Sequence, residues 1–190
     1  MSFLNREELN KIGFKSLGEN VKISNKASFY NPNTISIGSD VRIDDFCILS
    51  GKIKLGSYIH ISAYCGLYGN GGIEMEDFSG LSPRCTLLST SDDFSGQFMI
   101  SPMVFDKYTN VQSGKIKIEK FVQIGSGSIL LPEVTIAQGS VIGAMSLVKC
   151  NTEEWKIYGG IPIQFIKDRE KRIIELSKDF IQEKNKIKPN

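Results

Sequence analysis

Aliphatic side chains recur at every sixth position over most of this chain. In three runs, the recurring residues are Ile37, Ile43, Leu49, Leu55, Ile61, Leu67 and Ile73; Met75, Leu81 and Leu87; and Ile118, Ile124, Leu130, Ile136, Ile142 and Val148. A period of six matches neither the helical period of 3.6 nor the period of 2 of a simple strand. It is typical of a solenoid in which every hexad forms one short strand and one turn. Small residues such as Gly38 and Gly125 follow several aliphatic positions, as tight corners require.

The segments on either side of the repeat have a different pattern. Residues 1–16 predict a short amphipathic helix, because their apolar side chains fall near one helical face. The repeat itself fills residues 17–163. Residues 164–190 predict a second helix, since apolar side chains return at helical spacing between Phe165 and Lys186. We expect this second helix to cap the open end of the solenoid, where strand edges would otherwise stay unpaired.

One internal segment, residues 89–114, breaks the repeat completely. A loop of this length inside a regular solenoid is either disordered or functional. Its apolar content is too high for a free tail, with Phe94, Phe98, Met99, Ile100, Met103, Val104 and Phe105. We therefore expect the inserted loop to pack against another surface, such as a neighbouring subunit.

Composition excludes several classes of protein. A formal net charge of +2, with scattered basic residues, gives no reason to expect nucleic acid as a partner. No stretch resembles a signal peptide or a membrane span, so we expect a cytoplasmic protein. The four cysteines lack metal-ligand spacing, and no metal is expected. Cys47 and Cys65 lie three hexads apart and should stack, as buried thiols rather than as a disulfide.

The hexads, the inserted loop and the ending Gly-Gly-Ile-Pro-Ile-Gln-Phe-Ile-Lys at residues 159–167 together resemble the hexapeptide-repeat acyltransferases. Within that family the chain looks most like the sugar O-acetyltransferases of the galactoside/maltose type. The resemblance covers residues 17–169. It implies a mostly β fold, a left-handed parallel β-helix. It also implies a homotrimer with active sites between subunits and acetyl-CoA as the acyl donor.

O-acetyl transfer needs a base that takes the proton of the acceptor hydroxyl, and a donor that holds the oxyanion. His60 is the only histidine of the chain, and it lies directly before the inward-pointing Ile61. Its side chain should therefore point outward. We hypothesise that His60 is the general base; the alternative is an exposed histidine without a role.

The chain departs from the galactoside-type enzymes at the residue that corresponds to their catalytic histidine. That histidine follows a stretch like Thr-Leu-Leu-Thr-x-x-His, and the matching residues 86–92 place Asp92 there. We hypothesise that Asp92 or Asp93 orients the imidazole of His60 across a subunit boundary, or binds sugar hydroxyls. Two alternatives stay open: a turn formed with residues 95–96, or a carboxylate base whose pKa is raised by burial.

Side chains close to His60 in sequence are candidates for acceptor binding. The family's acceptor-binding asparagine is replaced here by Ser62 or Tyr64, within Ser-Ala-Tyr-Cys. Tyr64 and Tyr68 suit stacking on sugar faces. Together with Asp93, these residues form the predicted acceptor site.

The resemblance also places the coenzyme. Ser126 and Ala144 follow Ile-Gly pairs at positions where the family uses backbone groups beside the pantetheine arm. Lys149, Lys167 and Arg169 fall near the expected positions of the coenzyme phosphates, where cationic side chains are needed.

These residues favour an acetyl-CoA-dependent O-acetyltransferase acting on a sugar hydroxyl, in surface polysaccharide biosynthesis. An N-acetyltransferase for a nucleotide-linked amino sugar is an alternative, because the amine of such a substrate can release its own proton. A non-catalytic β-helix that serves as a binding module is a third possibility.

Overall fold

The computed structural model describes residues 2–187. Helix α1 spans Arg6–Ile12 and helix α2 spans Ile173–Ile187, with single 3-10 turns at Pro32–Thr34 and Asp106–Tyr108. The strands, in chain order, are β1 Ser16–Leu17, β2 Lys22–Ile23, β3 Ser28–Tyr30, β4 Ile35–Ile37, β5 Arg42–Ile43, β6 Ile48–Leu55, β7 His60–Ile61, β8 Gly66–Met75, β9 Gly80–Leu81, β10 Thr86–Leu88, β11 Thr90–Ser91, β12 Gln112–Ser113, β13 Ile116–Ile118, β14 Gln123–Ile124, β15 Ile129–Leu130, β16 Thr135–Ile136, β17 Val141–Ile142, β18 Leu147–Val148, β19 Lys156–Gly159 and β20 Gln164–Asp168.

The strands stack as coils of a left-handed parallel β-helix with about 7 turns, as the hexads predict. The first face contains β1, β4, β13, β16 and the C-terminal halves of β6 and β8; the second contains β2, β5, β7, β9, β14, β17 and β19; the third contains β3, β10, β15, β18 and the N-terminal halves of β6 and β8. Ile43 pairs with Ile61, one 18-residue coil later. Leu55 pairs with Met75 instead, because two extra residues enter that coil, as the slip in the repeat predicts.

The inward-pointing hexad residues form one continuous core. Ile43, Ile61 and Ile124 have no exposed surface. Complete burial of such a side chain contributes about 2–3 kcal/mol, and stacked coils are the only way to achieve it here.

Three thiols, Cys47, Cys65 and Cys85, form a column beside this core and are all free, which confirms the expectation of stacked, unpaired cysteines. The Cys47 thiol donates to the Ser62 carbonyl at 3.1 Å. Its hydrogen bonding with Cys65 and its burial raise the pKa of Cys47, which keeps this thiol protonated and unreactive.

Residues with left-handed backbone conformation stand at the corners between faces. The corner between the first and second faces carries Tyr58, Phe78, Phe121 and Trp155, each with φ between 55° and 63°. Their rings stack along the axis, with centroids 4.6 Å apart for Tyr58 and Phe78 and 5.5 Å apart for Phe78 and Phe121. Trp155 is buried at the end of this stack, 6.1 Å from Phe121. We call these four residues the covered corner.

The corner between the second and third faces has the same backbone geometry. Phe46, Tyr64, Arg84, Gly127 and Met145 occupy its left-handed positions. Except for Gly127, all of them are exposed. We call these five residues the open corner.

The C-terminal segment differs from its prediction in two ways. Strand β20 occupies residues 164–168 and pairs antiparallel with β19, so the helix begins only at Ile173. The hairpin satisfies the last strand edge of the second face, which the helix was expected to cover. Helix α2 instead runs back along the covered corner, where the Phe180 ring packs edge-on against Tyr58 at 5.5 Å. Residues 188–190 of the predicted helix lie outside the described residues.

The N-terminal helix and the inserted loop lie where they were predicted. Helix α1 begins with a capping box between Asn5 and Glu8, ends at Gly13 with φ of 82°, and buries Leu9. Within residues 89–114, β11 and β12 pair antiparallel at the base of the loop. The tip leaves apolar side chains exposed, namely Phe94, Phe98, Met99, Ile100, Met103, Phe105, Tyr108 and Val111. Neither helix in the described part of the chain is long and apolar enough to cross a bilayer.

Candidate active site

His60 lies on the second face in contact with a buried carboxylate. Because Ile61 points into the core, the imidazole of His60 points outward and is 50% exposed. Its Nε2 is 2.8 Å from Oδ2 of Asp44. The other carboxylate oxygen, Oδ1, accepts a hydrogen bond from Nε of Arg42 at 2.7 Å. Only 8% of the Asp44 side chain is exposed, so this carboxylate is held on both oxygens beside the imidazole.

Asp44 is absent from the set of residues predicted from the sequence. The signal that locates it is the coil length: Arg42 is the register partner of His60 one coil earlier. Asp44 lies two residues beyond Arg42 on the same side of the sheet. Its contact with His60 therefore follows from the length of one coil. The family motif around His60 does not include Asp44.

A second polar pair lies on the adjacent coil, beyond the missing side chain of Gly80. Gly80 is the register partner of His60, and a Cβ there would come within 2.8 Å of Oε1 of Gln123. Nε2 of Gln123 donates to Oγ of Ser82 at 3.1 Å. The second face thus carries His60 and Ser82 on neighbouring coils, with only a glycine between the imidazole and the Gln123 amide.

The two aspartates of the inserted loop have different roles. Asp93 accepts hydrogen bonds from the backbone N–H of Ser95 and from Nδ2 of Asn110, both at 2.7 Å. These hydrogen bonds lower the pKa of Asp93. The bond to Ser95 forms the turn that the sequence analysis gives as an alternative role for this aspartate. Asp92 is half-buried, and its carboxylate has no hydrogen-bond partner within residues 2–187.

Within one chain, neither Asp92 nor Asp93 forms a hydrogen bond with the imidazole of His60 among the described residues. The carboxylate that bonds the imidazole is Asp44. Asp92 follows the third face, whereas His60 lies on the second. A meeting of His60 and Asp92 between subunits remains a prediction.

The predicted acceptor residues are divided between two faces. Ser62 is half-buried two residues after His60. Tyr64 is stacked on Phe46 of the preceding coil at 5.0 Å, and the guanidinium of Arg84 of the following coil is 5.7 Å from its centroid. Phe46 and Arg84 thus contact the two faces of the Tyr64 ring, which is still 54% exposed, and its proposed stacking on a sugar stays a prediction.

Tyr68 lies on the third face and is 39% exposed. Its ring covers Gly66, where a Cβ would come within 2.8 Å of Cε2 of Tyr68. Tyr68 keeps an accessible surface, so its proposed stacking on a sugar stays a prediction.

Of the five predicted coenzyme residues, Ser126 and Ala144 adjoin the open-corner positions Gly127 and Met145 near the last coils. Ser126 and Ala144 are exposed on successive coils, and a Cβ at Gly125 would come within 2.4 Å of the Ala144 nitrogen. Lys149 follows β18 on the third face, and Lys167 lies on β20 at the edge of the second. Both lysine side chains are exposed. The backbone at this corner is thus uncovered beside Ser126 and Ala144, whereas Lys167 pairs with Ile157, two residues after Trp155 of the covered corner.

Arg169, the fifth, lies elsewhere and has a different role. Its Nη1 donates to the carbonyl of Phe121 at 2.7 Å and to that of Gly139 at 2.8 Å. Burial lowers the pKa of this guanidinium, which is half-buried at the covered corner. Its two Nη1 hydrogen bonds stabilise the backbone of that corner, and its expected contact with coenzyme phosphates stays a prediction.

Among residues 2–187, no three histidine, cysteine, aspartate or glutamate side chains gather as a metal site would require. The groups available for chemistry are an oriented imidazole, a carboxylate without a hydrogen-bond partner among the described residues, a serine hydroxyl and a corner with exposed backbone at Ser126 and Ala144. Together they suit the transfer of an acyl group between bound molecules.

Comparison with known proteins defines the class. No family model matches the chain. It is 45% identical over 183 residues to a dTDP-4-amino-4,6-dideoxy-D-glucose acyltransferase of Escherichia coli, covering 95% of both chains. It is also 51% identical to AntD, an N-acyltransferase from Bacillus cereus, with a TM-score of 0.95 and coverage of 97% of this chain and 98% of the other. The fold and these relatives define an acyltransferase.

The chain belongs to the hexapeptide-repeat acyltransferases. AntD was crystallised with dTDP and 3-hydroxybutyryl-CoA, and in another structure with dTDP-4-amino-4,6-dideoxyglucose and coenzyme A. A maltose O-acetyltransferase from Clostridium difficile is only 22% identical, with a TM-score of 0.59 and coverage of 87% of this chain and 75% of the other, and it shares the fold alone. The narrower resemblance to the galactoside/maltose type is therefore corrected toward the N-acyltransferases of nucleotide-linked amino sugars.

Proposed function

We propose that this protein transfers an acyl group from an acyl-CoA thioester to the amine of a dTDP-linked amino sugar. The observation that carries the proposal is its identity of 51% to an N-acyltransferase crystallised with dTDP-4-amino-4,6-dideoxyglucose and coenzyme A, over 96% of this chain. N-acyl transfer, the alternative named from the sequence, thus replaces O-acetylation as the preferred reaction.

A spacing within AntD supports Asp92 as a site residue. Crystal structures of AntD include variants in which one serine is substituted and variants in which one aspartate is substituted. That aspartate follows the serine by ten residues in the AntD chain. In the present sequence, Ser82 and Asp92 are the only serine and aspartate with that order and spacing. Ser82 also lies one coil beyond Ser62, two residues after Gly80.

The reaction assigns a role to each group. The amine nitrogen attacks the thioester carbonyl carbon; a C–N bond forms, the C–S bond breaks, and coenzyme A leaves as a thiolate. The proton released by the nitrogen passes to His60 and then to the thiolate sulfur. Asp92 holds the amine by accepting its N–H, and Ser82 donates to a sugar or carbonyl oxygen.

The open corner provides the coenzyme site. The exposed backbone at Ser126 and Ala144 lets the pantetheine arm lie against the coils, and Lys149 and Lys167 face the phosphates. Acetyl-CoA is the donor expected from the sequence; the acyl group itself is part of the proposal.

We also propose that the active protein is a homotrimer in which each site lies between two subunits. The exposed apolar tip of the inserted loop supports this, because such a surface is stabilised when another chain covers it. The separation of His60 and Asp92 within one chain supports it as well. A trimer brings a loop of one chain to the second face of the next.

The test is a transfer assay with two acceptors that differ at one atom. The protein is incubated with acetyl-CoA and either dTDP-4-amino-4,6-dideoxyglucose or the corresponding 4-hydroxy sugar nucleotide, and the products are identified by mass spectrometry. Amide formation at least a hundredfold faster than ester formation is expected, roughly the discrimination that polar recognition allows. Ester formation at an equal or higher rate would restore O-acetylation, and no transfer to either acceptor would remove this substrate class.

A further inference from the structure

We propose that Asp44 is the positioning residue that fixes the tautomer of His60, so that Nδ1 is the atom that accepts the proton. The role of Nδ1 in transfer rests on the proposed function; the assignment of the tautomer does not. Neither the resemblance nor the relatives' names point to Asp44, which emerges only from the contact between neighbouring coils.

The first step is the state of the carboxylate. Asp44 is enclosed between two donors, with Oδ1 bonded to Arg42 at 2.7 Å and Oδ2 at 2.8 Å from His60. A nearly buried carboxylate beside a guanidinium is stabilised as the anion. An anionic carboxylate accepts hydrogen bonds and cannot donate one.

The second step follows for the imidazole. Since Oδ2 can only accept, Nε2 of neutral His60 must carry the proton, and the lone pair is left on Nδ1. Asp44 is the only hydrogen-bond partner of the ring within residues 2–187. Nδ1 is thus the free and basic nitrogen of a half-exposed side chain.

The third step concerns the surroundings of that nitrogen. The adjacent coil contributes Gly80 opposite His60, which leaves room beside the ring, and Ser82 lies two residues further on. An amine bound near Ser82 can release its proton to Nδ1. The imidazolium then donates from Nε2 to Asp44, whose charge stabilises it until the proton passes to the coenzyme thiolate.

The single histidine makes the tautomer directly measurable. Protein labelled with 15N-histidine gives only the two ring nitrogen signals of His60, without competing residues. In the wild-type protein, when the ring is neutral, we expect Nε2 to carry the proton and Nδ1 to be unprotonated. A wild-type spectrum with the proton on Nδ1 would overturn the assignment without any variant.

The decisive variant is Asp44→Asn. Arg42 will keep the amide oxygen, because a guanidinium only donates, so the amide N–H group must face Nε2 of His60. Nε2 then becomes an acceptor, and the proton moves to Nδ1. The expected results are a reversed tautomer and a kcat lowered about a hundredfold or more, with KM changed by less than about threefold.

The matched control is Asp45→Asn, one residue further along. Asp45 bonds Ser24 and Lys26 and does not contact His60, so tautomer and kcat should stay at wild-type values. If Asp44→Asn leaves the tautomer unchanged, the inference is wrong even if the sugar is acylated. If the tautomer reverses but the wild-type protein acylates no amino sugar, the proposed function fails while Asp44 keeps its assignment.

Discussion

The covered and open corners of this β-helix are built from the same kind of turn, yet they are used differently. Both hold large side chains in left-handed backbone conformation on successive coils. At the covered corner, Phe180 packs against the ring stack, and Arg169 bonds the carbonyls of Phe121 and Gly139. At the open corner neither helix of the described chain packs on Phe46 and Tyr64, which are 46% and 54% exposed.

The hexapeptide repeat therefore determines the backbone geometry of both corners. The segments outside the repeat determine which of the two corners stays accessible to ligands. Helix α2 and the residues leading to it remove one corner from solvent. The other corner stays available beside His60, Ser82 and the predicted coenzyme residues.

The largest expected effect is on catalysis at the second face. His60→Asn should lower kcat by roughly 10²–10⁴-fold, because the amine's proton loses its acceptor. The matched change at the covered corner, Tyr58→Leu, should leave kcat within about twofold, since Tyr58 contacts Phe78 and Phe180 only as packing. Steady-state kinetics with the amino sugar checks both; an equal loss in the two variants would contradict a separation of the corners.

A mixture of two inactive variants tests whether the open corner is completed by another chain. His60→Asn and Asp92→Asn chains are coexpressed with different tags, and mixed oligomers are isolated. If each site joins His60 of one chain to Asp92 of the next, every mixed trimer regains one of its three sites, or about a third of the wild-type activity. If His60 and Asp92 act within one chain, no mixed oligomer should be active.

Most of the solenoid is predictable because its physics is local. A single coil cannot bury its own hexad residues. The spacing of residues such as Ile43, Ile61 and Ile124 therefore predicts both the strands and the stacking of their coils. The end of the chain is harder. Phe165 and Ile166 fit a helical spacing, but they lie on strand β20. This strand forms because the edge of β19 offers unpaired backbone groups. That pairing depends on a neighbouring strand, so the spacing of apolar residues does not reveal it.

The site was predictable only in part, for the same reason. The outward direction of His60 follows from the buried Ile61 next to it, whereas the partner of His60 depends on which residues lie one coil away. Arg169 makes the same point: its place in sequence suits a phosphate, but the bonds from its Nη1 to two carbonyls of the covered corner follow from the fold and not from its position in the motif.

The variant Arg169→Met tests whether the covered corner contributes to stability and not to coenzyme binding. Two charge-assisted hydrogen bonds are lost, and we expect the free energy of unfolding to fall by about 2–4 kcal/mol. Chemical denaturation measures the loss, and calorimetric titration should show an unchanged Kd for coenzyme A. A Kd weakened tenfold in a folded variant would return Arg169 to the coenzyme site.

Removing the charge of the two predicted coenzyme lysines should have the opposite result. Lys149→Ala and Lys167→Ala should each weaken binding of coenzyme A about tenfold, with a loss that shrinks at high salt, while stability is unchanged. Lys171→Ala is the control, because Lys171 lies over Trp155 at the covered corner. Calorimetry at two ionic strengths separates these outcomes; equal effects of all three changes would indicate nonspecific attraction.

The smallest expected effect lies away from both corners, on the first face. Hydrogen bonds from Lys115 and Lys54 lower the pKa of Glu74 to about 2, from its ordinary value of 4.5. The ion pair therefore stabilises the fold above pH 4.5, and this contribution is lost as pH falls through 4.5 toward 2. Glu74→Gln should flatten that part of the stability profile without changing transfer at neutral pH, and an unchanged acid profile would contradict the pairing.

A crystal structure with dTDP-4-amino-4,6-dideoxyglucose and coenzyme A tests the central claim, that the open corner is the active site. We expect coenzyme A along the backbone of Ser126 and Ala144, and the sugar amine between Asp92 of one chain and the His60 face of its neighbour. Ligands seated under helix α2 at the covered corner, or a sugar amine far from both His60 and Asp92, would contradict this account.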